Sequence, residues 1–276
     1  MEQTLVEKYR PRTFEDFIGL KKVTARLQHF AAHPKSTAFI FVGPAGVGKT
    51  TMARAFADVL GYALIHVPSQ TLTVDRVESI RRLVAYYPPE GKRGYLVLAD
   101  EIDTCSKQAQ YALLSMLDSS ATLTLEFGGT SREAASEFPV VWIGTCNGDG
   151  ENETRPPASL DRKFLSRCLP PFEFSAAEIK KELAAYLETI WLEEGGLGQP
   201  FEEVANEIAQ ESRGQVRDAL QALELRLLDC DFEIEHQPLE FSPATLAEAP
   251  LGLTVIPSQP VTFTGREYVF SGESWK

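Results

Sequence analysis

No apolar run in this chain approaches the roughly 18 residues that a membrane-spanning helix needs, so no membrane helix is expected. Cysteine is scarce: Cys105, Cys146, Cys168 and Cys230 stand far apart and form no Cys-x-x-Cys pair. That spacing excludes a zinc ribbon and reads as reduced thiols, mostly small buried hydrophobes. The opening residues, Met1-Glu2-Gln3-Thr4, carry neither a basic leader nor an apolar signal core, so a cytoplasmic protein is expected, in host cytoplasm if the source is viral. Positive charge is in deficit: 27 Lys and Arg against 39 Asp and Glu leave a formal net charge of −12. A protein that coats nucleic acid over its whole surface needs the opposite balance, because phosphate neutralisation supplies most non-specific affinity. Contact through a local patch in an oligomer stays open. Internal repeats are absent too. What is present, 43% hydrophobic and 24% charged in 276 residues, suits a globular chain of one large domain or two modest ones.

Three short apolar runs organise the first half. Ala38-Phe-Ile-Phe-Val42 is closed by glycine, Tyr95-Leu-Val-Leu-Ala99 ends in two carboxylates, and Val140-Val-Trp-Ile-Gly144 leads into Thr145-Cys146-Asn147. Continuous apolar runs of this length read as strands buried on both faces. Helical spacing over Lys21–Ala32 and Thr50–Leu60 separates them, which predicts an α/β domain with an open, parallel sheet flanked by helices. In such sheets ligands gather at the carboxyl ends of the strands, where all three runs place their polar residues. The segment from Thr4 to Gly19 follows neither period and reads as an ordered arm without regular elements. From Ser175 the texture changes to helical periodicity over Ala176–Glu194, Phe201–Arg213 and Gln215–Asp229. The expected organisation is therefore an α/β domain over residues 1–171, a small all-helical domain over 172–229, and a tail over 230–276. Alternating β-formers at Val261-Thr-Phe-Thr and Glu267-Tyr-Val-Phe270 make that tail a hairpin or two, or a poorly ordered extension.

The chemistry starts at Gly43-Pro-Ala-Gly-Val-Gly-Lys-Thr50, between a predicted strand and a predicted helix. This is the spacing of a phosphate-binding loop: glycines let the backbone wrap, and N–H groups at a helix N-terminus point at phosphate oxygens. Gly43, Pro44, Ala45, Gly46, Val47, Gly48, Lys49, Thr50 and Thr51 are the expected nucleotide contacts, with Lys49 a point charge toward the β- and γ-phosphates and Thr50 a Mg2+ ligand. At the end of the second run, Asp100 is placed to hold magnesium, and Glu101, pointing elsewhere, to polarise an attacking water. Asn147, at the end of the third run, fits a hydrogen bond to the γ-phosphate or that water; alone it would read as a turn or cap residue. The expected activity is that of a P-loop ATPase, with ATP and Mg2+ as cofactors.

The arm Glu7-Lys-Tyr-Arg-Pro11, the phosphate loop, Asp100-Glu101, the stretch Asp103-Thr-Cys-Ser-Lys-Gln-Ala-Gln-Tyr-Ala-Leu113, Phe164-Leu-Ser-Arg-Cys168 and Gly214-Gln-Val-Arg217-Asp-Ala-Leu together resemble the AAA+ ATPase subunits of sliding-clamp loaders. The resemblance covers about residues 4 to 229 and is greatest to the small subunits of replication factor C and their phage counterparts. It implies that Tyr9 and Arg10 border the adenine and that Asn147 is the first sensor. It implies that Arg167 is an arginine finger reaching a neighbouring subunit's nucleotide, while Arg217 touches phosphate from the helical lid of its own subunit. Gln110 falls where the family has a glutamine linking the region of Asp100 to a DNA-facing helix. The implied partners are other subunits of a homo- or hetero-oligomer, a sliding clamp and primer–template DNA.

Four features depart from that pattern. Residues 230–276 are too few and too strand-like for the helical collar that follows the lid in the family. Thr122-Leu-Thr-Leu-Glu-Phe-Gly-Gly-Thr130 reads as an extra hairpin, residues 148–157 as an acidic loop, and Glu78 stands near where a basic DNA contact is expected. A remodeller or assembly regulator acting on a different protein or DNA–protein complex is the alternative to a clamp loader. The intact set of Lys49, Asp100, Glu101 and Arg167 argues against a non-catalytic module.

Overall fold

The computed structural model describes residues 3–117, 123–127, 130–134, 138–149, 154–194, 201–236, 261–263 and 266–268. They form two compact units, residues 1–232 and residues 233–276. The first opens with α1 (Leu5–Lys8), a 3-10 turn at Phe14–Asp16 and α2 (Lys21–Ala32). β1 (Thr37–Val42), α3 (Lys49–Leu60), β2 (Ala63–Pro68) and α4 (Val74–Val84) follow. Next come β3 (Tyr95–Asp100), α5 (Lys107–Leu117), the pair β4 (Leu123–Phe127) and β5 (Thr130–Ala134), and β6 (Val140–Cys146). α6 (Arg162–Leu165), β7 (Phe172–Glu173), α7 (Ala176–Glu193), α8 (Phe201–Glu211) and α9 (Val216–His236) complete the helical half.

Five strands make one parallel sheet in the order β2-β3-β6-β1-β7. The three runs predicted as strands are its central members, β1, β3 and β6, and their side chains divide by parity. Phe39, Phe41, Leu96, Leu98, Val141 and Ile143 pack with α2, α3 and the start of α7 on one face. Ala38, Ile40, Val97, Ala99 and Trp142 pack with α4, α5 and α6 on the other. Both faces are covered, which is why the runs are continuously apolar rather than alternating. The expected α/β architecture is the observed one. The strands at the sheet's two edges, β2 and β7, are additions to it.

Two expectations need correction. The Thr4–Gly19 arm, expected to lack regular elements, contains α1 and a 3-10 turn. Leu5 on α1 is buried in a cluster with Leu183, Leu187, Ile208 and Leu220 of the three long helices, so tertiary burial supplies what the local pattern lacks. The Asp16 carboxylate accepts the backbone N–H groups of Arg12 (2.9 Å) and Thr13 (2.8 Å) and closes the turn. The third long helix, expected to end at Asp229, runs on to His236.

The extra hairpin exists: β4 and β5 pair antiparallel from Leu123 opposite Ala134 to Phe127 opposite Thr130. Part of the acidic loop, residues 150–153, lies outside the described residues. In the second unit β8 (Val261–Phe263) and β9 (Arg266–Tyr268) form an antiparallel pair. Of the expected tail, residues 230–236 belong to α9, and residues 237–260, 264–265 and 269–276 lie outside the described residues.

Candidate nucleotide site

The carboxyl ends of β1, β3 and β6 converge, and each delivers one part of a site. After β1 the chain turns through Gly46 (φ +74°) and Gly48 (φ +93°) before entering α3. Both angles are left-handed, where a side chain is strained. A Cβ on Gly43 would stand 2.4 Å from the Phe174 carbonyl oxygen, so the loop also needs glycine for close packing. The result is a backbone cradle at the N-terminus of a helix, as an anion site requires.

Lys49 folds back into this cradle. Its Nζ donates to the Gly43 and Pro44 carbonyls (both 2.7 Å) and to Asn147 Oδ1 (3.2 Å) at the end of β6. Burial pushes the ammonium down to about 8, with the charge of Arg217 adding to the effect and Cys146, Asp100 and Asp103 opposing it. A half-desolvated cation with only neutral partners is an electrostatic demand for an anion.

From β3, Asp100 Oδ1 accepts hydrogen bonds from Thr50 Oγ1 (2.7 Å) and Thr145 Oγ1 (2.6 Å). Thr145 also accepts the Glu101 backbone N–H (3.0 Å), and Glu101 takes a left-handed conformation (φ +58°) uncommon for a residue with a side chain. That turn leaves the Glu101 side chain exposed while Asp100 stays partly buried. Adjacent acids thereby face different surroundings. Asp103, one turn on, has a carboxylate oxygen, Oδ1, that is buried without a hydrogen-bond partner, and burial raises its proton affinity. Burial likewise pushes the Cys146 thiol up to about 12, with Asp103 adding to the shift.

A cavity of about 110 Å³ opens beside the loop. Tyr9 and Arg10 of the arm, Gly46, Gly48 and Thr51, and Tyr186 and Arg217 of the long helices contribute to its wall. The Tyr9 hydroxyl donates to Glu193 (3.0 Å) and to Glu194, and Lys8 pairs with Glu194 (2.7 Å), so the arm is fastened to the end of α7. Burial first, then these two carboxylates, raises the Tyr9 phenol well above its ordinary value. The Arg217 backbone N–H donates to the Gly46 carbonyl (3.4 Å), which brings the start of α9 against the loop.

Lys49, Thr50, Asp100, Asn147, Arg217, Tyr9 and Arg10 are thus gathered around one loop and its cavity. Arg167 is not among the cavity's residues: it is exposed just past the end of α6, its guanidinium donating to the Lys163 carbonyl (3.1 Å). Gln110, 1% exposed, donates to the Ser159 carbonyl (3.3 Å) and accepts the Asp161 N–H (2.9 Å), tying α5 to the turn that starts α6. Thr145 and Asp103 were not singled out in the sequence. Their partners are remote in the chain, although the position of Thr145 between an apolar run and Asn147 was a usable signal.

The residues fit a nucleotide with a magnesium ion. The glycine cradle presents backbone at the N-terminus of α3, and Thr50 and Asp100 are hard oxygen donors. Among the described residues no three His, Cys, Asp or Glu side chains cluster to hold a metal by themselves. Thr50 and Asp100 would supply the one or two protein ligands that a magnesium ion takes when phosphate and water complete its shell.

Known proteins point to nucleotide binding as well. The profile of the ATPase family associated with various cellular activities (AAA) matches residues 39–176. The replication factor C small subunit of Methanothermobacter thermautotrophicus is 34% identical over 114 residues, which is 39% of this chain and 36% of that protein. That of Aeropyrum pernix is 32% identical over 131 residues, 45% of this chain and 40% of that protein. The matched stretch therefore spans little more than a third of these relatives. Among solved structures, the Thermotoga maritima RuvB Holliday junction branch migration motor superposes with a TM-score of 0.56 over 82% of this chain and 67% of that one, at 22% identity. At that identity the likeness is one of fold. No helix among the described residues is long and apolar enough to cross a membrane.

Proposed function

The chain belongs to the AAA family of ATPases, and on that premise we propose that it is one subunit of an oligomer that couples ATP hydrolysis to loading a ring-shaped clamp onto primed DNA in the cytoplasm. The observation that carries the ATPase reading is the convergence of Lys49, Asn147, Thr50 and Asp100 on one glycine cradle. In this reading the cradle N–H groups and Lys49 hold the β- and γ-phosphates, and the cavity lined by Tyr9 and Arg10 takes the adenine. Thr50 and Asp100 would hold magnesium, whose charge neutralises the phosphate oxygens. Glu101, turned into solvent by its left-handed backbone, orients and polarises the attacking water, and Asn147 holds that water or the γ-phosphate. Arg217 reaches phosphate from α9, the last helix of the lid formed by α7–α9.

Arg167 completes the site of the next subunit. Its exposure beyond the chain's own cavity supports a role in trans, where a guanidinium stabilises the charge that develops on the transferred phosphoryl group. The clamp and DNA rest on the likeness to replication factor C small subunits. The hairpin of β4 and β5, inserted before β6, favours the second reading, a remodeller of another protein or DNA–protein complex.

Steady-state hydrolysis with and without primed DNA and a cognate ring clamp tests the proposal. Stimulation by the two together supports clamp loading. Hydrolysis unmoved by either leaves an ATPase with a different partner.

A further inference from the structure

Asp100 has a partner facing each of its oxygens, and the second partner lies outside the phosphate loop. Oδ1 is occupied by the hydroxyls of Thr50 and Thr145. Oδ2 faces His66 Nε2, near the end of the neighbouring strand β2, at 3.5 Å. The other ring nitrogen, Nδ1, lies 3.1 Å from Arg54 Nη2. A guanidinium can only donate, so this contact makes Nδ1 an acceptor and puts the imidazole proton on Nε2, aimed at Asp100. Arg54 is one helical turn beyond Thr50 on α3, so the same face of α3 reaches the carboxylate twice, once directly and once through His66.

On this geometry, and resting on the reading of Asp100 as a magnesium-holding residue, we infer that Arg54 and His66 are positioning residues that set the orientation of the Asp100 carboxylate for metal binding. The distance of 3.5 Å exceeds that of a formed hydrogen bond, and the inferred role requires this contact to tighten when the site is loaded. Because His66 acts on the oxygen that the two hydroxyls leave, its hold does not depend on Thr50.

The test is Mn2+ binding to the ADP complex followed by electron paramagnetic resonance, with thermal melting as a check on folding. Loss of an orienting partner weakens metal binding by about tenfold in comparable sites, and His66→Phe and Arg54→Met should each do so while binding of ADP without metal is unchanged. His66→Gln should restore binding, since its amide both accepts from Arg54 and donates to Asp100. Asp100→Asn separates the two levels. If it leaves Mn2+ binding unchanged, the magnesium role of Asp100 is wrong. If it weakens binding while His66→Phe and Arg54→Met, both folded, do not, the relay alone is wrong. A His66→Gln variant as weak as His66→Phe also overturns it.

Discussion

Lys49 Nζ and Asn147 Oδ1 lie 3.2 Å apart, which joins the end of β1 to the end of β6 through a cation that has no acidic partner at hydrogen-bond distance. The lysine is held by dipoles alone, and burial lowers its proton affinity to about 8. The cradle is thereby preorganised for an anion at some cost to the free protein.

That cost is measurable. A lysine whose folded value lies below its unfolded value of 10.5 destabilises the fold fully below about pH 8, and the penalty fades as pH rises toward 10.5. Lys49→Met should therefore raise the melting temperature of the nucleotide-free protein at pH 7, by a stabilisation on the order of 1–3 kcal/mol. The gain should shrink by pH 10. Nucleotide binding should be lost at both. Calorimetry across that pH range checks it; an advantage that grows with pH would contradict the assignment.

Glu101→Gln keeps the shape and the left-handed turn while removing the proposed base. ATP should still bind with near-normal affinity, while turnover falls by about 10²–10⁴. Filter binding of ATP beside steady-state hydrolysis distinguishes this from Asp100→Asn, which should weaken the Mg2+ dependence of binding as well.

The central strands and the phosphate loop were legible because they are local patterns: continuous apolar runs ending in glycine or acid. β2 was not, since Ala-Leu-Ile-His-Val-Pro at a sheet edge is only half-buried and includes His66 and Pro68. β7 has two residues, too few to carry a period. The same divide runs through the site. Lys49, Thr50 and Asp100 stand in recognisable spacings, whereas Thr145 and His66 matter through a partner reached across strands and Asp103 through its burial. The arm's short helix depends on Leu5 meeting residues some 180 positions away, near Leu183 and Leu187. Such pairings have no signature in a single sequence.

The junction of α8 and α9 offers a stability test on the backbone. Arg213 and Gly214 both adopt left-handed conformations (φ +54° and +82°), and a Cβ on Gly214 would stand 2.2 Å from the Ala176 carbonyl oxygen at the start of α7. Backbone cannot yield there as a flexible side chain would. Gly214→Ala should cost about 2–4 kcal/mol by combining strain with overpacking. Arg213→Gly, which only removes strain, should be neutral or mildly stabilising. Urea denaturation of the two variants, read by circular dichroism, gives the comparison.

Arg167 is exposed just past α6, while Gln110 fixes the turn at Ser159–Asp161 from which α6 departs. An exposed guanidinium on a buttressed helix suits delivery to a neighbour. Arg167→Ala should lower hydrolysis by about 10³–10⁵, as for other arginine fingers, without weakening ATP binding to the same chain. For the wild-type protein, activity per subunit should rise with concentration as neighbours meet. Mixing Arg167→Ala with Lys49→Met chains decides where the arginine acts. Each variant alone should be inactive, but an interface that pairs a Lys49→Met neighbour's Arg167 with an Arg167→Ala subunit's intact loop would have a complete site. Activity recovered on mixing therefore places the finger in trans, and the recovered fraction should follow the statistical share of such interfaces. Inactive mixtures, together with wild-type turnover that is constant on dilution, would overturn the trans assignment of Arg167.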